Sequence, residues 1–157
     1  MKNVLVAVLA IICMACTPSV HAQDLKRMSW EAFGVSFNGP KDMIVEDDSE
    51  EGFVVSNDTY YVSIQILDGE AMNKNALVEE VKQVAEDDQL QDLSPVTSFE
   101  LPQFHGAQLQ GASEGEFYLY NYLMSKDESG GFFVTIIFKE KNDALPTNMI
   151  KSFQLVD

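Results

Sequence analysis

Basic residues are scarce in this chain, and cysteines scarcer still. Its 157 residues include 10 Lys and Arg against 25 Asp and Glu, a net charge of −15. Such a balance weighs against a nucleic-acid partner, whose binding rests on cationic neutralisation of phosphates. It also weighs against electrostatic docking on anionic lipid. Cys13 and Cys16 are the two cysteines, and both lie near the N-terminus. The remainder therefore has no disulfide, no thiol nucleophile and no Cys ligand for zinc, so its core alone must hold it. There is no P-loop, no dinucleotide fingerprint, no metal-ligand cluster and no heptad series. No cofactor or metal is expected. At 46% hydrophobic and 22% charged the chain can still build a packed core, and its length suits one domain.

The N-terminus reads as an export signal. Lys2 supplies a positive start and Val4 to Ile12 an unbroken apolar run, too short to span a bilayer. Pro18 and Ser19 break the segment, and Val20-His21-Ala22 precedes a cut at Gln23. The expected division is 1–22 signal peptide, 23–29 flexible lead-in and 30–157 one domain, destined for the periplasm or the exterior. A competing reading stays open. Met14-Ala15-Cys16 ends like a bacterial lipoprotein signal, in which Cys16 would be lipidated and the protein membrane-anchored. Cleavage after Ala22 removes Lys2, leaving nine cations against 25 acids, a net charge of −16.

Along the remaining chain, periodicity gives an α+β pattern. Phe33, Val35 and Phe37 alternate as a strand, Asn38-Gly39-Pro40 turns, and Met43 to Val45 is short and extended. Glu46 to Glu51 is an acidic turn. Phe53 to Val55 and Tyr60 to Leu67 continue an antiparallel meander, the latter with Tyr60, Val62, Ile64 and Ile66 on one face. Asn75 to Asp88 carries Leu77, Val81, Val84 and Ala85 at helical spacing, with Asn75 or Asn73 as N-cap. Strands are expected at about 96–101, 104–112, 116–125 and 132–138, then a closing helix over Asp143 to Phe153 with Pro146 in its first turn.

Several residues invite chemistry. Gly111-Ala112-Ser113-Glu114-Gly115 matches G-x-S-x-G, which in a hydrolase exposes the serine on a strand-to-helix elbow. Here it sits between two strands, where paired glycines suit a hairpin, and His105 precedes the serine. A hydrolase using Ser113 and His105 is the weakest of three functional readings. The acidic turn could offer oxygens to calcium but lacks the alternating D-x-D-x-D-G pattern. Tyr118, Tyr120 and Tyr122 alternate with Phe117, Leu119, Asn121 and Leu123, so both faces of this strand call for cover. The tyrosine row is the best candidate binding face, with core packing beneath a helix as its alternative. Trp30 is a second candidate anchor, or else a plug at the sheet edge. The acidic helix end Glu86-Asp87-Asp88 opposes the helix dipole without evident reason.

The order of elements resembles a known family. Phe33-Gly34-Val35-Ser36-Phe37, the Gly39-Pro40 turn and the Met43 to Glu46 strand are similar to its "fsi-x-lP-x-gW" opening. The single helix, Leu101 to Gly106, the hairpin at Gly130-Gly131 and the ending Ile150-Lys151-Ser152-Phe153 follow in its order. These features resemble the PsbP-like α/β sandwich superfamily, including DcrB-type bacterial envelope proteins and Ran-binding import factors. The family's tryptophan after the proline turn is missing here, with Met43 near its place. The resemblance implies a central antiparallel sheet flanked by helices, in proteins that mostly act as binding or accessory modules. The leading expectation is thus an exported non-enzymatic module of a bacterial envelope that binds an unknown envelope protein. A carrier of a small apolar ligand, held between the helix Asn75–Asp88 and the sheet, is the second.

Overall fold

The computed structural model describes residues 24–67 and 73–156. Residues 1–22 and Cys16, on which the export and lipidation expectations rest, lie outside that range. Ten strands and two helices follow in chain order: β1 (Leu25–Trp30), β2 (Val35–Pro40), β3 (Ile44–Asp48), β4 (Phe53–Ser56), β5 (Tyr61–Ile66), α1 (Leu77–Asp87), β6 (Thr97–Glu100), β7 (Phe104–Ser113), β8 (Glu116–Ser125), β9 (Gly131–Phe138), α2 (Leu145–Lys151) and β10 (Gln154–Leu155). The fold class is the expected α+β, a largely antiparallel arrangement with two helices.

Seven strands form one sheet in the order β3-β4-β5-β9-β8-β7-β6, and β1-β2-β10 form a smaller one. The alternation along each strand explains the layering. Val62 and Ile64 of β5, with Val134, Ile136 and Phe138 of β9, point into one core shared with Trp30, Phe37 and Phe153 of the small-sheet layer. Phe37 and Phe153 stack at 5.0 Å, tying β2 to the C-terminal segment. Each such buried aliphatic or aromatic side chain contributes about 1.5–3 kcal/mol. On the opposite face, Leu77, Val81 and Ala85 of α1 pack on Ala107 and Leu109 of β7 and on Tyr120 and Tyr122 of β8. Strand β8 is therefore covered on both sides, as its apolar alternation demands.

One expected boundary is corrected. Most of the stretch 23–29, read as a flexible lead-in, belongs to β1, paired antiparallel with β2 from Leu25↔Pro40 to Trp30↔Val35. Its inward residues Met28 and Trp30 are buried while Lys26 and Arg27 face solvent, so few apolar residues mark it as a strand.

Of the two expected caps of α1, Asn73 is the one used. Asn73 Oδ1 accepts from the backbone N–H of Asn75 and Ala76 at 3.0 Å each, one turn before Leu77. The acidic C-terminus has a structural reason: the Tyr120 hydroxyl donates to Asp88 at 2.6 Å, and Gln83 Nε2 donates to Asp87 at 2.8 Å.

The outer strand β6 seats the Phe99 ring on Gly106 of β7, and a Cβ at that glycine would overlap the ring. Gly106→Ala is expected to lower stability by about 1–3 kcal/mol through overpacking, read as a lower midpoint in urea unfolding.

Candidate functional site

The register of the large sheet sets up a surface that no single strand reveals. Residues directly opposite across antiparallel strands share a face. One such row runs Ile44, Ser56, Tyr61, Ile137 and Tyr118 over β3, β4, β5, β9 and β8. A second runs Asp47, Val54, Ser63, Thr135 and Tyr120. Helix α1 lies on β7 and β8 of this face. Over β3, β4, β5 and β9, Val54, Ser56, Tyr61, Ser63, Thr135 and Ile137 stay partly exposed. An antiparallel sheet with one solvated face usually turns polar residues outward; here Ile44, Val54, Tyr61 and Ile137 are among them.

Acids border this half-open face at both ends. Glu46 forms a bulge, displaced from the ladder between Val45 and Asp47, and accepts from the Ser56 hydroxyl. At the other end, burial first, then Glu116, Glu114 and Asp88, push the Tyr118 phenol above its ordinary range. Burial and Asp88 do the same to Tyr120, and burial, Glu80 and Asp88 to Tyr122.

The sequence candidates fall out differently against this geometry. Tyr120 and Tyr122 are buried under α1, so they form no exposed face; the helix covers them because Leu77, Val81 and Ala85 need an apolar floor. Tyr118 alone of the three is partly exposed, at the margin of the open half. Trp30 is fully buried and no surface anchor. It touches Phe33 at 4.3 Å, and its indole N–H donates to the Ser49 carbonyl at 2.9 Å. It thereby holds the tip of the acidic β3–β4 hairpin. Ile44, Tyr61 and Ile137 were missed, although Tyr61 is a visible aromatic on the outward side of an otherwise polar alternation.

Ser113 and His105 belong to one continuous strand, β7, and sit eight residues apart. At about 3.3 Å per residue they are about 26 Å apart, which removes the hydrolase pairing. His105 instead meets Glu100 across the β6–β7 pair, Nδ1 to carboxylate at 2.7 Å, with Lys74 at 3.0 Å and Lys126 at 3.4 Å from the same carboxylate. The Lys74 hydrogen bond, then those of His105 and Lys126, hold Glu100 at about 2 against the ordinary 4.5. A folded pKa below the unfolded one stabilises above the unfolded value and loses that contribution as pH falls. Stability is therefore expected to decline on acidification from about pH 4.5 toward 2. Glu100→Gln should flatten that decline in chemical denaturation at stepped pH.

The acidic hairpin is no gathered cation site. Among the described residues no group of three or more His, Cys, Asp or Glu is placed to hold a metal ion. Between α1 and the sheet, Leu77, Val81 and Ala85 pack in one cluster with Ala107, Leu109, Tyr120 and Tyr122. A crevice of about 200 Å³ opens beside the first turn of α1, lined by Lys74, Ser98, Glu100 and His105 among others. A more apolar one of about 240 Å³ lies between β6 and α2. These two fall short of the roughly 300–1,000 Å³ usual for small-molecule sites, whereas clefts of about 350 Å³ beside Asp42 and Tyr60 and about 310 Å³ beside Phe33 and Phe132 reach only its lower end.

The class these features define is a sheet-faced α+β domain, and two comparisons place it. The chain belongs to the Dihydro-orotase-like family, whose model matches residues 16–142. The fold is similar to that of the Saccharomyces cerevisiae Ran-binding protein Mog1p, with a TM-score of 0.60 at 10% identity over 87% of this chain and 97% of that one. A point mutant of Mog1 gives 0.59 at 10% identity over 86% and 97%. No curated protein matches in sequence. The family membership corrects the PsbP-like, DcrB-type assignment. The motifs that suggested it are turn and strand-order features shared at the level of fold, and the absent tryptophan was the point of departure. The fold expectation itself stands.

Proposed function

We propose that this protein is a non-enzymatic binding module that takes a protein partner on the open half of its large sheet. The observation that carries the reading is the row Ile44, Tyr61, Ile137 and Tyr118, left partly exposed where α1 stops covering the sheet. Aromatic and aliphatic side chains of this kind form the energetic centre of protein interfaces, within a polar rim. Glu46, Asp47, Glu114 and Glu116 supply such a rim. That the same fold serves a Ran-binding protein in yeast supports a protein rather than a small molecule as ligand. The family's description carries an enzyme's name, but Ser113 and His105 stand too far apart along β7 to act as a nucleophile and its base.

The proposal extends to location. Residues 1–22 direct export, and the mature chain begins at Gln23 in the periplasm or outside the cell; N-terminal sequencing of the natural product tests this, and a lipidated Cys16 as first residue would replace it. Site-specific photo-crosslinking tests the surface. Benzoylphenylalanine at Tyr61 or Ile137 should capture one protein in the native host, and the same probe at Lys82 on the outer side of α1 should not. Equal yields from all three positions would refute the assignment.

A further inference from the structure

The geometry points to a partner that contributes an extended, lysine- or arginine-bearing segment, pairing with the free edge of β3 as an eighth strand. This deepens the reading of the open face and rests on it, since β3 forms that face's border. Among the described residues β3 is the last strand of the sheet, and all five of its residues are exposed. Its two large apolar residues stand out on opposite faces, Ile44 at 65% and Val45 at 53% exposure. Edge strands are commonly blunted with lysine, proline, bulges or charge, because their unpaired N–H and C=O groups invite another chain. Here the blunting is one-sided. Glu46, Asp47 and Asp48 follow the apolar pair, and Glu50 and Glu51 follow them. A second copy laid on this edge would set acid against acid in parallel register and acid against Ile44 and Val45 in antiparallel register. A cationic strand would gain main-chain hydrogen bonds, side-chain contact with Ile44 and Val45, and charge pairing, as in strand-addition complexes.

The edge is also held in shape before any partner arrives. Trp30 fixes the Ser49 carbonyl, Ser49 N–H donates to the Gly52 carbonyl at 3.1 Å, and Lys26 Nζ donates to the Met43 carbonyl at 3.1 Å. A strand in place needs no ordering on binding, which favours capture of an extended segment.

The test uses the mature chain and three labelled 12-residue peptides: one alternating Val and Lys, one alternating Val and Glu, and one of the first composition with two central Val replaced by Pro. The Val-Lys peptide should bind at least tenfold more tightly than either other peptide, and should slow amide exchange at 44–48. The triple variant Glu46→Gln, Asp47→Asn, Asp48→Asn should weaken it at least tenfold, and so should Ile44→Lys with Val45→Lys. These positions are exposed, so the fold is retained and circular dichroism verifies it. Equal binding of the proline peptide would reduce the effect to charge alone and overturn strand pairing, as would exchange protection away from β3. Peptide binding at β3 alongside failed crosslinking from Tyr61 and Ile137 would sink the face reading and leave the edge. Crosslinking without peptide binding would do the reverse.

Discussion

Trp30→Ala is expected to cost about 3–5 kcal/mol of folding stability, the range for deleting a buried tryptophan. A domain of this size has about 5–15 kcal/mol in all, so the variant should sit near its unfolding threshold. The site justifies the upper part of the range. Trp30 is fully buried, stacks with Phe53 at 6.4 Å and meets Phe132 at 6.4 Å, thereby joining β1 of the small sheet to β4 and β9 of the large one. Trp30→Phe separates the two roles of the side chain. It retains most of the packing but loses the hydrogen bond to the Ser49 carbonyl, for about 1–2 kcal/mol. Urea unfolding gives both losses. In the Phe variant, faster amide exchange confined to the β3–β4 hairpin is the specific expectation, because Ser49 is the tip that the indole holds.

The second large effect concerns binding. Tyr61→Ser together with Ile137→Ser should weaken the partner identified by crosslinking about 100-fold, equivalent to about 2.7 kcal/mol. The stability cost should stay near 1 kcal/mol per site, since both side chains are only partly buried. Tyr120→Ser and Tyr122→Ser provide the contrast. Both lie beneath α1, and Tyr120 also donates to Asp88, so their loss should be mainly one of folding. Titration calorimetry and thermal unfolding of these three variants separate the two outcomes. If the Tyr61 and Ile137 pair bound normally while remaining folded, the open half of the sheet would not be the interface.

The sheet's strands were readable because their inward residues alternate with a period of two, most plainly in Tyr61–Ile66 and Gly131–Phe138. Strand β1 was not, because a layer that buries only Met28 and Trp30 leaves Lys26 and Arg27 to dominate its composition. Strand β10 has two residues, too few for any period. The candidate face posed a different problem. Its tyrosine component was visible in the alternation of Tyr118, Tyr120 and Tyr122, but which of these stays uncovered depends on where α1 crosses the sheet. That placement is decided by contacts with β7 and β8, some 20 to 45 positions further along the chain. Ile44, Tyr61 and Ile137 come from three strands distant in sequence and meet only through register. Likewise Glu100 and His105, five residues apart in sequence, become partners because the β6–β7 pairing sets them opposite each other.

Amide hydrogen exchange of the protein, alone and bound to its crosslinked partner, tests the central claim most directly. Slowed exchange concentrated in β3, β5 and β9, with α1 and α2 unchanged, is the predicted result. Slowing confined to α1, or to the crevice between β6 and α2, would contradict it.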